Sequence, residues 1–329
     1  MTPTFHAKYR AHTNIALIKY WGKRHQALFL PVTNSLSLTL DAFYTDTEIL
    51  FDASFAHDQF ILNGEAQDEA ATAKISRFVD LFRYKKGIHL PVKVTSANHV
   101  PTAAGLASSA SAFAALACAC NAALDLQLSP QQLSTYARQG SGSASRSLFG
   151  GFVEWHKGYG EDSDSSFAEP IDDADWDIAM LVVMLNKQSK KISSRVGMQL
   201  TMETSPFYTL WESEVKRDLI GIKQAIVERN FEEMGRIAEH NAMKMHATMI
   251  AANPSFTYWE PDSLIAMNLV RQLREQGVPC YFTMDAGPNV KVLCRASQAE
   301  WLRQQFVKYF DSDQLAIANP GPAPYPLDM

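Results

Sequence analysis

The sequence predicts an α+β protein built as two lobes around a shared cleft, and three observations carry the prediction. The chain has 329 residues, beyond the size at which one hydrophobic core usually keeps growing. Strand-like runs dominate residues 1–100, whereas helical periodicity dominates the second half. With 47% hydrophobic and 20% charged residues, the composition is that of an ordinary globular protein.

Taken in order, Ser35–Leu40 follows a turn at Pro31 and Asn34. Together with Thr47–Phe51, Gln59–Leu62 and Val92–Ser96 it reads as one mixed sheet. Within Ala71–Tyr84, the residues Ile75, Phe78, Val79 and Phe82 have the spacing of a helix with one buried face. Ser109–Leu124 is alanine-rich and apolar almost all round, which predicts a helix buried between layers. Ser129, Pro130 and Gln132 give the next helix an N-cap, a first-turn proline and a capping-box partner. Phe152–Trp155 and Ile178–Leu185 resume the strand pattern on either side of an acidic, serine-rich loop, Gly160–Asp175. The lobe boundary falls near Asn186, dividing the chain into 1–186 and 187–329. Beyond it, Trp211–Arg229, Phe231–Met245, Asp262–Gln276 and Gln298–Phe310 read as helices. Cys280–Met284 and Val290–Cys294 read as strands around a turn at Asp285–Asn289, which makes the second lobe α+β. The tail Asn319–Met329, with a proline at every second position from Pro320 to Pro326, should be extended.

A net charge of −5 excludes a general nucleic-acid binder, which needs a basic surface to neutralise phosphates. Met1–Trp21 is broken by His6, Lys8, Arg10, His12 and Lys19, unlike the apolar core of a signal peptide. Ile178–Leu185 is too short to cross a bilayer as a helix. A cytoplasmic protein with no membrane partner is expected. Cys118, Cys120, Cys280 and Cys294 form no C-x-x-C pair and read as buried or reduced thiols. The histidines are scattered, with His240 and His246 six apart, so no protein-dedicated metal site is expected.

Four segments carry chemistry. Pro101–Ser111 places Gly105 and the hydroxyls of Ser108, Ser109 and Ser111 between a strand and a helix start, an anion-binding arrangement. It lacks the Gly-Lys-Ser/Thr of a Walker A loop, and read alone it is equally a tight packing turn with a serine N-cap. Gly140–Ser147 sets glycines and hydroxyls ahead of Arg146, whose guanidinium suits a carboxylate or phosphate; a Gly/Ser surface loop is the alternative. Lys187–Arg195 gathers four cations and three serines just after a strand, where it can meet the first two segments at a cleft or form a solvated face. Met284–Asn289 puts Asp285 in a turn between two strands, and by composition alone that aspartate is a structural turn residue.

Together these segments resemble the GHMP small-molecule kinase superfamily, and within it the mevalonate diphosphate decarboxylase family. Ala11–Lys23 is similar to that family's opening signature, Pro101–Ser111 to its nucleotide loop, Gly140–Arg146 to its substrate loop and Tyr281–Asn289 to its aspartate motif. The resemblance spans nearly the whole chain in the right order and leaves out only the proline-rich tail. It implies a two-lobed GHMP fold with a ferredoxin-like C-terminal lobe, paired as a homodimer. Asp285 would be the catalytic carboxylate beside a tertiary hydroxyl, Arg146 would hold the substrate carboxylate and Ser194 would orient the substrate. Tyr20, Lys23, Ser141, Gly142, Ser143 and Arg195 would surround a diphosphate. Ser96, Asn98, Gly105, Ala107, Ser108 and Ser109 would contact ATP and Lys190 would reach its phosphates, with Mg2+ carried in on the nucleotide near Ser108. Asn14 and Lys19 match the signature and take a supporting role.

The implied reaction is ATP-dependent decarboxylation of mevalonate 5-diphosphate. Three readings compete: a sister kinase that does not decarboxylate, a decarboxylase of the 5-monophosphate, and a nucleotide-responsive protein without catalysis. Asp-Ala-Gly-Pro-Asn stands where the sister kinases carry a glycine-rich turn, which favours decarboxylation. A protein without catalysis should have lost Asp285, Arg146 or Lys23, and all three are present.

Overall fold

The structure is a computed structural model that describes residues 4–99, 108–185 and 192–328. The first lobe runs β1 (Phe5–Ile18), β2 (Lys23–His25), β3 (Leu30–Pro31), β4 (Ser35–Phe51), β5 (Gln59–Leu62), β6 (Glu65–Ala66), α1 (Glu69–Lys86), β7 (Val92–His99), α2 (Ser108–Ala123) and α3 (Pro130–Gly140). A 3-10 segment, Gly142–Leu148, then leads to β8 (Phe152–Trp155) and β9 (Ala168–Asp172). The remainder comprises β10 (Ala179–Val183), α4 (Ser194–Thr204), α5 (Trp211–Val227), α6 (Phe231–Ile250), α7 (Pro261–Glu275), β11 (Tyr281–Met284), β12 (Val290–Cys294), α8 (Ala299–Phe306), β13 (Leu315–Ala318) and β14 (Tyr325–Pro326).

The first sheet has the order β14-β1-β4-β7-β5-β6 and is mixed, because β5 pairs with β7 in parallel. Ser35–Leu40 and Thr47–Phe51 are two ends of one long strand. Its last residues pair with β7, and its first residues pair with β8. The second sheet has the order β11-β12-β10-β13 and is antiparallel throughout. The chain is thus α+β and two-lobed.

Three differences from the sequence reading have physical causes. Ile178–Leu185 is placed in the first lobe by the sequence but supplies β10, in the middle of the second sheet. Apolarity marks a strand without saying which sheet it joins. Gly160–Asp175 contains β9, whose pairing with β8 turns a polar loop into an edge strand. Phe5–Ile18 is a strand of 14 residues that the charged residues along it disguise. Ala7 and Ala11 alternate toward α2 with Lys8 and Arg10 on the other face, while Ile15, Leu17 and Ile18 join a core shared with the second lobe.

That shared core holds the cleft's floor. Leu36, Leu38 and Phe43 of β4 meet Met180 and Val182 of β10 and Trp211, Ile222 and Met245 of α5 and α6. Each fully buried side chain of this size contributes roughly 1.5–3 kcal/mol, so the two lobes are packed together rather than tethered. A second cluster lies between the first sheet and α1 to α3, and a third between the second sheet and α7 and α8. Leu181 and Val183 face the third cluster while Met180 and Val182 face the shared one, the period-two alternation of a central strand. The four cysteines are buried free thiols, and no helix among the described residues is long and apolar enough to cross a membrane.

Candidate active site

Two adjoining cavities lie along the first sheet's helix face. The larger site, of about 270 Å³, lies between the lobes and is lined by residues of every chemical segment the sequence singles out. Tyr20, Lys23, Ser141, Gly142, Ser143, Arg146, Ser194, Arg195 and Asp285 all line it. The second, of about 250 Å³, is lined by Ser96, Asn98, Ser108 and Ser109 beside the apolar Phe60, Leu62, Ile75 and Phe113. Lys74 and Ser109 line both cavities. Gly105, Ala107 and Lys190 lie outside the described residues.

Asp285 is the only carboxylate among the described residues lining the larger cavity, against Lys19, Lys23, Lys74, Arg146 and Arg195. Local positive charge is therefore concentrated at one place on a protein of net charge −5. Asp285 follows β11 in the turn toward β12, and its side chain is 37% exposed to the cavity. Lys19 Nζ sits 2.7 Å from its Oδ1 and Lys291 Nζ 3.1 Å from its Oδ2. Burial pushes the Asp285 carboxyl up, but the two ammonium charges and their hydrogen bonds outweigh it and hold the carboxyl well below the usual range. Lys19 itself is pushed down to about 8 by burial, a fall that Asp285 limits.

Local structure fixes Lys19 from both ends. Its amide donates to Asn241 Oδ1 at 2.8 Å and its ammonium to Ala16 O at 2.7 Å. Asn241 in turn donates to Asp218 Oδ2, which also pairs with Lys244. The start of the cleft is thereby bound to α5 and α6. His246 on α6, 1% exposed, lies behind the pair and is pushed down to about 3, chiefly by burial and then by Lys19, so it stays neutral.

Arg146 is 2% exposed and sits in the 3-10 segment, not in a Gly/Ser surface loop. Its Nε donates to Asn14 Oδ1 at 3.2 Å and its Nη1 to Ser35 Oγ at 2.6 Å. Asn14 donates to Ser143 O and to Ser147 Oγ, so it braces the whole segment. Neither partner of Arg146 is anionic. Burial lowers its pKa to about 10, offset in part by Asp285, and an arginine placed this way is prepared for an anion. Gly142 is required by close approach: a Cβ there would lie 2.8 Å from the Tyr20 ring and 2.9 Å from Trp155. Tyr20 packs edge-on against Trp155, and its hydroxyl is buried without a hydrogen-bond partner among the described residues.

A second pair of cations is arranged around Phe29. Lys23 Nζ lies 3.6 Å from the ring centroid and the Arg195 guanidinium 5.6 Å from it. Phe29 has φ +54°, a left-handed conformation that is strained for a bulky residue. Buried Arg138 stabilises the hairpin that imposes it, donating to Leu28 O at 3.0 Å and to Ser163 and Ser166. Lys23 is pushed down to about 8 by burial and then by Arg195. Ser194 opens α4, where Ser193 caps Val196 N; Ser194 and Arg195 of its first turn line the cavity.

In the second cavity, Ser96 and Asn98 are set by Thr47 and Thr45, whose hydroxyls bond them at 2.9 Å. Ser109 Oγ lies 3.1 Å from Ser141 Oγ and joins the two cavities. Among the described residues no three His, Cys, Asp or Glu side chains gather to hold a metal.

Sequence reasoning gives Lys19 too small a role and misses Lys74, Phe29 and Lys291. For Lys291 a signal exists, because a lysine interrupts the apolar run Val290–Cys294. Lys74 adjoins the apolar stripe of α1 and reads as an ordinary solvated lysine. The backbone strain of Phe29 leaves no trace in the sequence.

Comparison with known proteins gives the family of the chain. Residues 11–168 match the diphosphomevalonate decarboxylase-like N-terminal domain, and residues 180–320 match the mevalonate 5-diphosphate decarboxylase C-terminal domain. The chain is 37% identical to the diphosphomevalonate decarboxylase of Ganoderma lucidum over 93% of its own length and 82% of the relative's. Against the human diphosphomevalonate decarboxylase it is 35% identical over 86% and 75%. The mevalonate diphosphate decarboxylase from Enterococcus faecalis superposes with a TM-score of 0.93 at 50% identity, covering 99% of this chain and 100% of that one. A solved complex with MVAPP, AMPPCP and magnesium gives a TM-score of 0.94 at 50% identity, with the same coverage.

Proposed function

The chain belongs to the mevalonate 5-diphosphate decarboxylase family, and from that premise we propose how its cleft performs the reaction. The enzyme is an ATP-dependent decarboxylase of mevalonate 5-diphosphate. The terminal phosphoryl group of ATP passes to the 3-hydroxyl, the resulting tertiary phosphate leaves with its C–O bonding electrons, and the C–C bond to the carboxylate breaks. The electron pair of that bond forms the alkene of isopentenyl diphosphate, and carbon dioxide departs. ADP and phosphate are the other products.

The observation that carries the assignment is a cavity with one carboxylate and several cations arranged around it. Arg146, with only neutral partners at Asn14 and Ser35, takes the substrate carboxylate. Lys23 and Arg195 flanking Phe29 take the diphosphate, with Tyr20, Ser141, Gly142 and Ser143 around it and Ser194 orienting the chain. Asp285 accepts a hydrogen bond from the 3-hydroxyl. Two ammonium groups make it a weak base, so it orients the hydroxyl and takes the proton late, as the P–O bond forms. Its negative charge then stabilises positive charge developing at the tertiary carbon as phosphate leaves.

ATP occupies the second cavity, its base against Phe60, Leu62, Ile75 and Phe113, with Ser96, Asn98 and the start of α2 beside it. Lys74, shared by both cavities, reaches the phosphates between them. Phosphoryl transfer through a loose transition state depends on such positioning and charge. Mg2+ would arrive on the nucleotide, where Ser108 would serve as its protein ligand and the ion would neutralise phosphate charge. Buried free thiols suit the reducing cytoplasm, and homodimeric assembly belongs to the same proposal.

Incubation with ATP, Mg2+ and carboxyl-labelled mevalonate 5-diphosphate tests the reading. Carbon dioxide and ADP should appear in equal amounts, whereas ADP alone would make the protein a kinase. Sedimentation tests the dimer.

A further inference from the structure

We propose that Lys291 is a positioning residue for the Asp285 carboxylate, the second half of a two-lysine clamp whose halves come from different lobes. The proposal rests on the assignment of Asp285 as the group that meets the 3-hydroxyl. It begins with an anomaly in β12, where Val290, Val292, Leu293 and Cys294 are buried apolar residues and Lys291 is buried among them. Its side chain is 3% exposed. A buried ammonium is costly unless it is paired and hydrogen-bonded, and a strand serving only the core would carry an apolar residue here.

The partners of Lys291 account for it. Nζ lies 3.1 Å from Asp285 Oδ2 and donates to Asn289 O at 3.3 Å. Asn289 Oδ1 accepts from Leu185 N, so the ammonium is anchored in a turn that is itself bonded to the end of β10. Lys19 approaches the other oxygen from the first lobe. With one lysine on each oxygen, rotation of the carboxylate would break both contacts. Lys291 is not among the residues lining that cavity. It therefore acts through Asp285, not on the substrate.

The clamp also sets the charge of the carboxylate. Among the described residues, the charged and titratable groups coupled to Asp285 are Lys19 at the end of β1, Lys291 on β12, Arg146 on the 3-10 segment and His246 on α6. His246 is neutral and Arg146 is committed to the substrate, so the two lysines keep Asp285 ionised. Removing one raises the pH below which Asp285 takes up a proton.

The test compares Lys291→Met, Lys291→Arg and Asp285→Asn by steady-state kinetics across pH, with ATP affinity and thermal melting as checks on folding. Lys291→Met should lower kcat on the order of 10²-fold, the cost of a misplaced reacting group, with both KM values nearly unchanged. Lys291→Arg keeps the charge and should restore part of kcat. A folded Lys291→Met with wild-type kcat overturns the proposal. If Lys291→Met does not fold, Lys291→Gln, which keeps a hydrogen-bond donor without the charge, decides by the same split: a lowered kcat at unchanged KM supports the clamp and a wild-type kcat overturns it. Asp285→Asn separates the two layers, since full activity in that variant removes the site assignment itself. An inactive Asp285→Asn beside a fully active Lys291→Met removes only the role of Lys291.

Discussion

Lys19 Nζ lies 2.7 Å from Asp285 Oδ1, joining residues 266 positions apart from two lobes. The contact matters because Lys19 is 1% exposed and its pKa is pushed down to about 8 by burial, while Asp285 limits the fall. Below that value Lys19 is charged and the carboxylate is held on both oxygens. As pH rises through about 8, Lys19 loses its proton and that hold is released. The kcat profile should therefore fall on an alkaline limb near pH 8. In Lys19→Arg the limb should disappear from the accessible range, because a guanidinium stays charged.

Lys23 is also pushed down to about 8, by burial and by Arg195, but in the proposed site its charge serves binding. Its deprotonation should raise the KM for mevalonate 5-diphosphate above pH 8. Initial rates at low and at saturating substrate separate this effect from the loss of kcat caused by Lys19.

Phe29→Ala should weaken diphosphate binding, because the ring holds Lys23 at 3.6 Å and Arg195 at 5.6 Å. Desolvated cation–π contacts contribute about 1–2 kcal/mol, so KM should rise about fivefold to thirtyfold with a smaller change in kcat. Steady-state kinetics read this directly. Alanine keeps the Cβ, so the backbone strain at φ +54° remains in this variant.

Gly142→Ala should destabilise the fold and block the site together. Its Cβ would lie 2.8 Å from Tyr20 and 2.9 Å from Trp155, and overpacking of this kind costs about 1–3 kcal/mol. Chemical denaturation and substrate binding, measured on the same preparation, should both weaken.

Arg146→Lys should behave as a deletion. An ammonium cannot reproduce the guanidinium's simultaneous bonds to Asn14 and Ser35, and an unsatisfied buried partner costs about 1–3 kcal/mol. A drop in kcat/KM on the order of 10²-fold is expected, together with a lower melting temperature.

The sequence makes much of this legible where one rule decides the outcome. The capping box at Ser129 and Gln132 marks the start of α3, and both side-chain bonds are present. The buried face of α1 follows from Phe78, Val79 and Phe82. The segments around Arg146, Ser194 and Asp285 converge on one cavity, which follows from their resemblance to a known family and not from any local pattern. What stays hidden is long-range. Pairing with β12 and β13 assigns β10 to the second sheet, and no local signal encodes a partner more than a hundred residues away. Lys19 and Lys291 look like surface lysines until the fold buries both against one carboxylate. The start of α4 lies among cations and serines, a pattern that fits a solvated face as well as a cleft wall.

The central claim is that the Asp285 carboxylate, gripped by two lysines, performs the chemistry without contributing to nucleotide affinity. Single-turnover release of labelled carbon dioxide by Asp285→Asn, with ATP affinity measured by calorimetry on the same sample, tests it most directly. The account predicts loss of carbon dioxide and of ADP formation together, with ATP binding largely retained. Unimpaired turnover in Asp285→Asn would contradict it.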